Sequence, residues 1–494
     1  MLGAIIRRQM PRRQPRAVAS FSMDAFLDFE RDLARKKRAA APPQPPKRTR
    51  LEPPRKPLDG ECCDLNCPNC VLLVYNEQLL EYEDSARWAN ASGTSSTPQS
   101  LSQPSMDLAM TWAPKDMHID VPAFPRGVST YPVVTNRLLC QSPTRAVHQV
   151  DVSLPESTTY ATAQNFCVHM PNNDTLVTRC ASFLGVSAAA LVKVDHPTKP
   201  FPKNEWLTLG KLLRWHVDLA STPRPRILRM LTSYATSPDD QARLVALADA
   251  LSFTMSLVDV LEAHPSLKLT VEAFLNLAPA LTARNYTIAS SPRLQPHTVS
   301  LTVAVKPTEG RCSVYLTTRQ QNSVVHASLA PSSFSQTWAT GFGQAPLLCI
   351  AAGTGIAPFR GLWQELAQRE AAARPLVALF FGCRDPDEDF LYHSDIDAMA
   401  AAGVLTHVEP VFSQRDAKQH VQDRLKSPAG AALVADYVVR QGGAVYICGS
   451  LAMGRDVKHA LVECLASDLQ WSTDNAKAYI AQMQHDGRYV AEVW

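Results

Sequence analysis

The sequence has no apolar run near the length of about 18 residues needed to cross a bilayer, so a membrane-spanning protein is not expected. Eight of its 12 cysteines are scattered without pairing-like spacing, several within apolar runs such as Leu347–Ile350, which argues against a secreted disulfide framework and for a reducing compartment. No internal repeat is visible. A general basic surplus is also missing. The net charge of +3 hides a tail over residues 1–56 with 15 Lys/Arg against 5 Asp/Glu, a surplus of +10 that leaves −7 for the remainder, and no nucleic-acid partner is expected.

Within the tail, no acidic residue precedes Asp24, whereas Arg7, Arg8, Arg12, Arg13 and Arg16 do, with Ile5, Ile6 and Val18 interspersed. That pattern suits a mitochondrial transit segment, with a solvated basic arm in a cytoplasmic protein as the alternative. Residues 1–57 hold nine prolines and read as a basic, Pro-rich tail. Cys62, Cys63, Cys67 and Cys70 follow in a module over 58–90, and a Ser/Thr/Pro/Gly-rich linker is expected over 91–130.

The 46% hydrophobic content suffices for two or three domains. From Tyr131 to 343, β-like runs such as Val147–Leu154 and Val299–Lys306 flank a leucine-rich helical stretch at about 205–275, which implies a β-domain with a helical insertion. Over 344–494, short apolar runs at Pro346–Ala352, Leu376–Cys383, Leu405–Phe412 and Ala444–Gly449 alternate with helical patterns, which predicts a doubly wound parallel sheet. The fold class expected is thus α+β followed by α/β.

The first of those strands runs into Gly353-Thr354-Gly355 and then a helix with Phe359, Leu362, Trp363 and Leu366 on one face. Such a turn lets the backbone approach a pyrophosphate at a helix N-terminus, although a lone Gly-Thr-Gly is also an ordinary turn. Arg384, Ser413, Arg415 and Lys418 follow two further strands, where ligands of open α/β sheets bind. Cations and a hydroxyl there suit a 2′-phosphate and hence NADPH, against the plainer reading of solvated surface charge.

With Arg284-Asn-Tyr286-Thr287-Ile-Ala-Ser290-Ser291, Gly310-Arg-Cys312-Ser313, Phe381-Gly-Cys-Arg384 with Asp389-Phe-Leu-Tyr392, Tyr446-Ile-Cys448-Gly449 and terminal Gly487-Arg-Tyr-Val-Ala-Glu492-Val-Trp494, the ordered set over 131–494 resembles the FAD/NADPH module of the diflavin reductases. This family includes cytochrome P450 reductase and has the ferredoxin-NADP reductase type of fold, an antiparallel FAD barrel before the NADP domain. The resemblance implies that Arg284, Cys312 and Ser313 hold the FAD pyrophosphate, Tyr286 packs on one flavin face and Trp494 covers the other. It implies that Thr287, Cys448 and Glu492 stand for the family's Ser, Cys and Asp around the reacting rings. Thr for Ser and Glu for Asp keep the chemistry with altered size, so slower hydride transfer is expected.

Other departures touch cofactor binding. The family's Tyr-x-Pro-Gly-Asp turn is Tyr160-Ala-Thr-Ala-Gln164-Asn165 here, the Gly-Pro of its glycine turn is Ala351-Ala352, and His420 replaces a tyrosine near the adenine phosphate. No flavodoxin-like FMN domain is evident before Tyr131, and Ser92-Gly-Thr-Ser-Ser reads as linker. In its place, the cysteine cluster leading to Tyr75, Glu77 and Leu79 resembles the short oxidoreductase-like N-terminal domain. Its four thiols could hold zinc or an iron–sulfur centre, with a disulfide or free thiols as alternatives.

The expected activity is an NADPH-dependent FAD reductase that passes electrons to a separate acceptor: a haem, FMN or iron–sulfur protein, or a quinone. The alternative is a weakened or inactive binding and assembly protein that uses the nucleotide fold and cysteine module as surfaces.

Overall fold

Val150 and Val152 on β3 (Arg145–Ser153) and Val299, Leu301 and Val303 on β8 (Thr298–Val305) turn their apolar faces to one interior. The computed structural model that shows this describes residues 108–114, 117–196, 199, 201–250, 253–306, 310–339, 341, 343–415 and 418–494. The basic tail with the expected transit segment, the cluster Cys62, Cys63, Cys67 and Cys70 and the Ser92 run lie outside the described residues.

The sheet containing these strands has six members, completed by β2 (Ser129–Ser142), β4 (Asn165–Val168), β7 (Arg284–Thr287) and β9 (Val324–Ala330). Their order is β7-β4-β9-β2-β3-β8, and all ladders are antiparallel. An Ile288–Leu301 bridge, with the Ala289 N–H donating to the Ser300 carbonyl at 2.7 Å, joins the two outer strands and closes a barrel.

Between β4 and β7 lies the insertion, with its own core of Leu209, Leu212, Leu213, Leu228, Leu244 and Leu257. It extends beyond the expected 205–275. Helix α1 (Asp174–Phe183) belongs to it, capped by Asn173, whose side chain accepts the Leu176 N–H, and buried through Val177, Cys180 and Ala181. So does β1 (Ala109–Trp112), which corrects the linker expected over 91–130. This strand pairs antiparallel with β5 (Leu191–His196), and four residues are too few to show a period in the sequence.

The doubly wound domain has a wholly parallel sheet of order β12-β11-β10-β13-β14. Its strands are β10 (Leu347–Ala352), β11 (Val377–Cys383), β12 (His407–Phe412), β13 (Ala444–Gly449) and β14 (Tyr489–Val493). Burial on both faces explains the continuous apolar runs of β10 and β11. One face packs Leu348, Ile350 and Phe380 against α2 (Leu451–Asp468) and α3 (Thr473–His485). The other packs Cys349, Leu379 and Phe381 against α4 (Ala357–Ala367), and this core also takes in Val147 and Ala163 of the barrel and Phe334 and Trp338 beyond it. A shared core therefore joins the domains at the carboxyl end of the β10 turn. No helix among the described residues is long and apolar enough to cross a membrane.

Candidate functional site

Tyr286 is the partly buried end of a strand whose first residues are exposed, so its ring emerges at the barrel surface beside Arg284. Its hydroxyl hydrogen-bonds the Cys312 thiol; burial pushes both groups up from their ordinary pKa, and the Arg284 charge partly opposes this. Both therefore stay protonated at neutral pH. Cys312 and Ser313 lie in the first turn of α5 (Arg311–Thr317), entered through Gly310 at φ +92°, and the Ser313 hydroxyl donates to the Gly310 carbonyl at 2.9 Å. The left-handed φ favours glycine there, and a Cβ would also force the Ser313 hydroxyl to turn away. Arg284, Tyr286, Cys312 and Ser313 thus cluster as one cation–hydroxyl–thiol patch able to receive a pyrophosphate and an aromatic ring.

A seam connects this patch to the parallel sheet. Thr287 is opposite Asn165, its hydroxyl 3.5 Å from Asn165 Oδ1, and Asn165 is in turn opposite Ala330. Two residues after Ala330, the Ser332 hydroxyl donates to the Ala163 carbonyl at 2.6 Å and caps α6 (Ser333–Trp338). There the Glu492 carboxylate accepts the Phe334 N–H at 3.1 Å, while Glu492 itself pairs in register with Cys448. Burial raises the Glu492 carboxyl from the usual range, although hydrogen bonds from Phe334, Ser332 and Ser333 pull it back. Cys448 is fully buried, and burial followed by the Glu492 charge holds its thiol protonated. Cys448 and Glu492 are thus paired in the parallel sheet, and a relay of ladder pairs and hydrogen bonds through Asn165, Ser332 and Phe334 runs between them and Thr287 on the barrel.

Gly353-Thr354-Gly355 forms a 3-10 turn between β10 and α4. A Cβ on Gly355 would lie 2.1 Å from the Cys448 carbonyl oxygen, a clash with backbone that only glycine avoids. Gly353 has φ +55°, and a Cβ there would come within 3.3 Å of Arg145 Nη2. Arg145, on barrel strand β3, was not singled out by the sequence reading, where it is a lone cation heading a β pattern. Its Nε is buried without a hydrogen-bond partner. Burial lowers its pKa, with Asp389 opposing and Arg384 reinforcing that shift. Arg384 reaches the same place from the β11 loop, donating to Thr144 Oγ1 at 3.2 Å. An orphaned guanidinium nitrogen, a second arginine and a turn flanked by two glycines fit a pyrophosphate.

Asp389 Oδ1 accepts the N–H groups of Arg384 and Asp385 at 2.7 and 3.0 Å and so shapes that loop. Ser413 is beside it, its N–H donating to the Cys383 carbonyl at 3.0 Å. The other residues expected at the phosphate follow in the next loop. Arg415 is paired to Asp385 and Asp387, and Lys418 is exposed. His420 precedes α7 (Val421–Leu425), with its ring 3.5 Å from Asp423. Trp494 is anchored by its backbone, donating to the Gly449 carbonyl at 3.1 Å and accepting from the Leu451 N–H at 3.0 Å, while the residue as a whole is 53% exposed. That places it at the carboxyl end of β13 and β14, on the same side as the glycine turn.

The altered 160–165 turn has its own supports. The Tyr160 hydroxyl lies 3.0 Å from Ser290 Oγ and 2.8 Å from the Gln295 carbonyl. Thr162 donates to Glu365 Oε2 on α4 at 3.0 Å, and Ser291 and Arg293 bind the same carboxylate. Ala163, where the family has glycine, keeps a left-handed φ of +59°. Among the described residues no cluster suits a metal ion, and the eight described cysteines are free.

Comparison with known proteins agrees with this geometry. Residues 122–314 match the family described as "FAD binding domain", and 349–459 match "Oxidoreductase NAD-binding domain". The bifunctional cytochrome P450/NADPH–P450 reductase 2 of Bacillus subtilis (strain 168) is 28% identical over 386 residues, covering 73% of this chain and 36% of that protein. NADPH–cytochrome P450 reductase of Mus musculus is 27% identical over 400 residues, covering 73% of this chain and 58% of that protein. Inducible nitric oxide synthase of Homo sapiens is 30% identical over 314 residues, covering 58% of this chain and 26% of that protein. The chain thus spans between about a quarter and three fifths of the length of these relatives. The two matched domains, the barrel-and-sheet fold and the site between them together show that this chain carries the FAD- and NADPH-binding module of the diflavin reductase family.

Proposed function

We propose that the chain is an NADPH-dependent FAD reductase that delivers electrons to a separate acceptor. The supporting observation is the seam in which Thr287 of the barrel and the Cys448–Glu492 pair of the parallel sheet are linked through Ser332 and Phe334. When bound, the nicotinamide supplies a hydride equivalent and the flavin relays its electrons onward. The protein's part is placement. Arg284 with Cys312 and Ser313 would hold the FAD pyrophosphate, Tyr286 would support one ring face, and Arg145 with the Gly353–Gly355 turn would hold the dinucleotide pyrophosphate. Glu492 and the neutral Cys448 thiol would fix polar groups beside the reacting rings, and Trp494 at the carboxyl end of β14 would cover the flavin until it moves.

The acceptor is proposed to be a haem, FMN or iron–sulfur protein or a quinone. A metal at Cys62, Cys63, Cys67 and Cys70 rests on spacing, and equal metal content in Cys62→Ser/Cys67→Ser protein ends that idea. Mitochondrial import rests on the arginine pattern of the tail and is tested by uptake into isolated mitochondria. The central test is anaerobic stopped-flow absorbance: flavin-loaded protein should bleach on mixing with NADPH. Protein that keeps bound FAD without bleaching is a binding protein, not a reductase.

A further inference from the structure

One of the cations expected at a 2′-phosphate, Arg415, is already engaged. Arg415 Nε donates to Asp385 Oδ2 at 3.0 Å, and its Nη2 is 3.4 Å from Asp385 Oδ1 and 2.6 Å from Asp387 Oδ2. A cavity of about 270 Å³ at the end of β12 is lined by Arg415, Gln419, Arg424, Glu409 and Phe412. Its second arginine is also paired, with Arg424 Nε 2.7 Å from Glu409. The arginines of this cavity are thus matched by three carboxylates before any ligand arrives.

In doubly wound nucleotide folds, an acidic side chain accepts the ribose 2′-hydroxyl of an unphosphorylated dinucleotide, whereas an arginine takes the 2′-phosphate. Here both devices are in contact. A 2′-phosphate must draw Arg415 from two carboxylates and then lie close to them, at the cost of like-charge repulsion. A 2′-hydroxyl can donate to Asp385 with Arg415 still in place. The Asp387 N–H and Arg415 hold the Asp385 carboxyl below its ordinary pKa, so the competing charge persists at neutral pH.

We propose that Asp385 and Asp387 form a clasp on Arg415 that narrows the preference for NADPH, so that NADH is also a working donor. The inference rests on the reading of this domain as the dinucleotide site.

The test uses the full chain and two probes that need no turnover, 2′,5′-ADP and 5′-AMP, titrated by calorimetry. Asp387 suits substitution because its side chain is 84% exposed and only the ion pair is lost. Asp387→Asn should tighten 2′,5′-ADP about fivefold and leave 5′-AMP unchanged, the scale expected from releasing a surface pair. The kcat/KM ratio of NADPH to NADH should rise by the same factor. Arg415→Ala should weaken 2′,5′-ADP less in the wild type than in the Asp387→Asn background. Unchanged or weaker 2′,5′-ADP binding by Asp387→Asn, or a parallel change for 5′-AMP, overturns the clasp. Failure of both probes to bind any form overturns the dinucleotide site itself and takes the clasp with it.

Discussion

The Glu492 carboxylate accepts the backbone N–H of Phe334 at 3.1 Å, and so ties the last strand of the parallel sheet to the helix that follows barrel strand β9. Glu492→Ala should leave that N–H unsatisfied and cost about 2 kcal/mol in chemical denaturation. The carboxyl's raised pKa means that the folded state binds its proton more tightly. Its contribution is therefore fully present below the ordinary value of 4.5 and is lost as pH rises through the raised one. Stability of Glu492→Gln relative to wild type should rise as pH climbs above the ordinary carboxyl value of 4.5; a flat difference contradicts the burial argument.

At the turn, Gly355→Ala drives a methyl group into the Cys448 carbonyl oxygen. The β10–β13 ladder must shift to admit it, so the variant should lose about 3 kcal/mol by overpacking. Retention of wild-type melting temperature and nucleotide affinity would show that the approach is looser than 2.1 Å suggests.

Arg145 offers a guanidinium to the glycine turn from the other domain. Arg145→Gln should raise KM for NADPH about tenfold or more, the worth of one charge-assisted bond, with FAD content unchanged. Steady-state kinetics alongside flavin absorbance separate this outcome from misfolding.

For Tyr286, ring and hydroxyl have separable roles. Tyr286→Phe removes only the bond to Cys312 and should keep flavin, whereas Tyr286→Ala should weaken FAD binding about thirtyfold through lost aromatic contact. The flavin-to-protein absorbance ratio after dialysis reads both.

In the insertion, burial first and the neighbouring His169 second lower His216 from 6.5 to about 4. A depressed pKa gives stability that is present above about 6.5 and lost as pH falls through about 4, amounting to about 3 kcal/mol. Urea midpoints measured across that window should fall less steeply for His216→Gln. Parallel curves for the two proteins would mean that the imidazole is solvated.

Features with local causes were legible in the sequence. Buried strands β10 and β11 announce themselves because both faces are covered, and the glycine turn stands out between strand and helix. The cluster of Arg284, Tyr286 and Cys312 could be expected only through resemblance, since β7 and α5 are separate in the chain and meet through the barrel. Arg145 carried no signal because its partners are supplied by the other domain. The pairing of Arg415 with Asp385 and Asp387 was equally hidden: charges about 30 residues apart count as surface until two loops close over each other. The extent of the insertion was missed where β1 and α1 gain their stability from distant strands and helices.

Helix α4 begins at the turn that faces the dinucleotide, and further along it Arg360 grips the Ala289 carbonyl while Gln364 and Glu365 grip Ser291 and Thr162. One rod thus joins the glycine turn to the barrel segment that continues from Tyr286 and Thr287. Whatever stiffens one end restrains the other, so the two ligands should behave as partners in a single equilibrium, each strengthening the grip on its companion by the same factor.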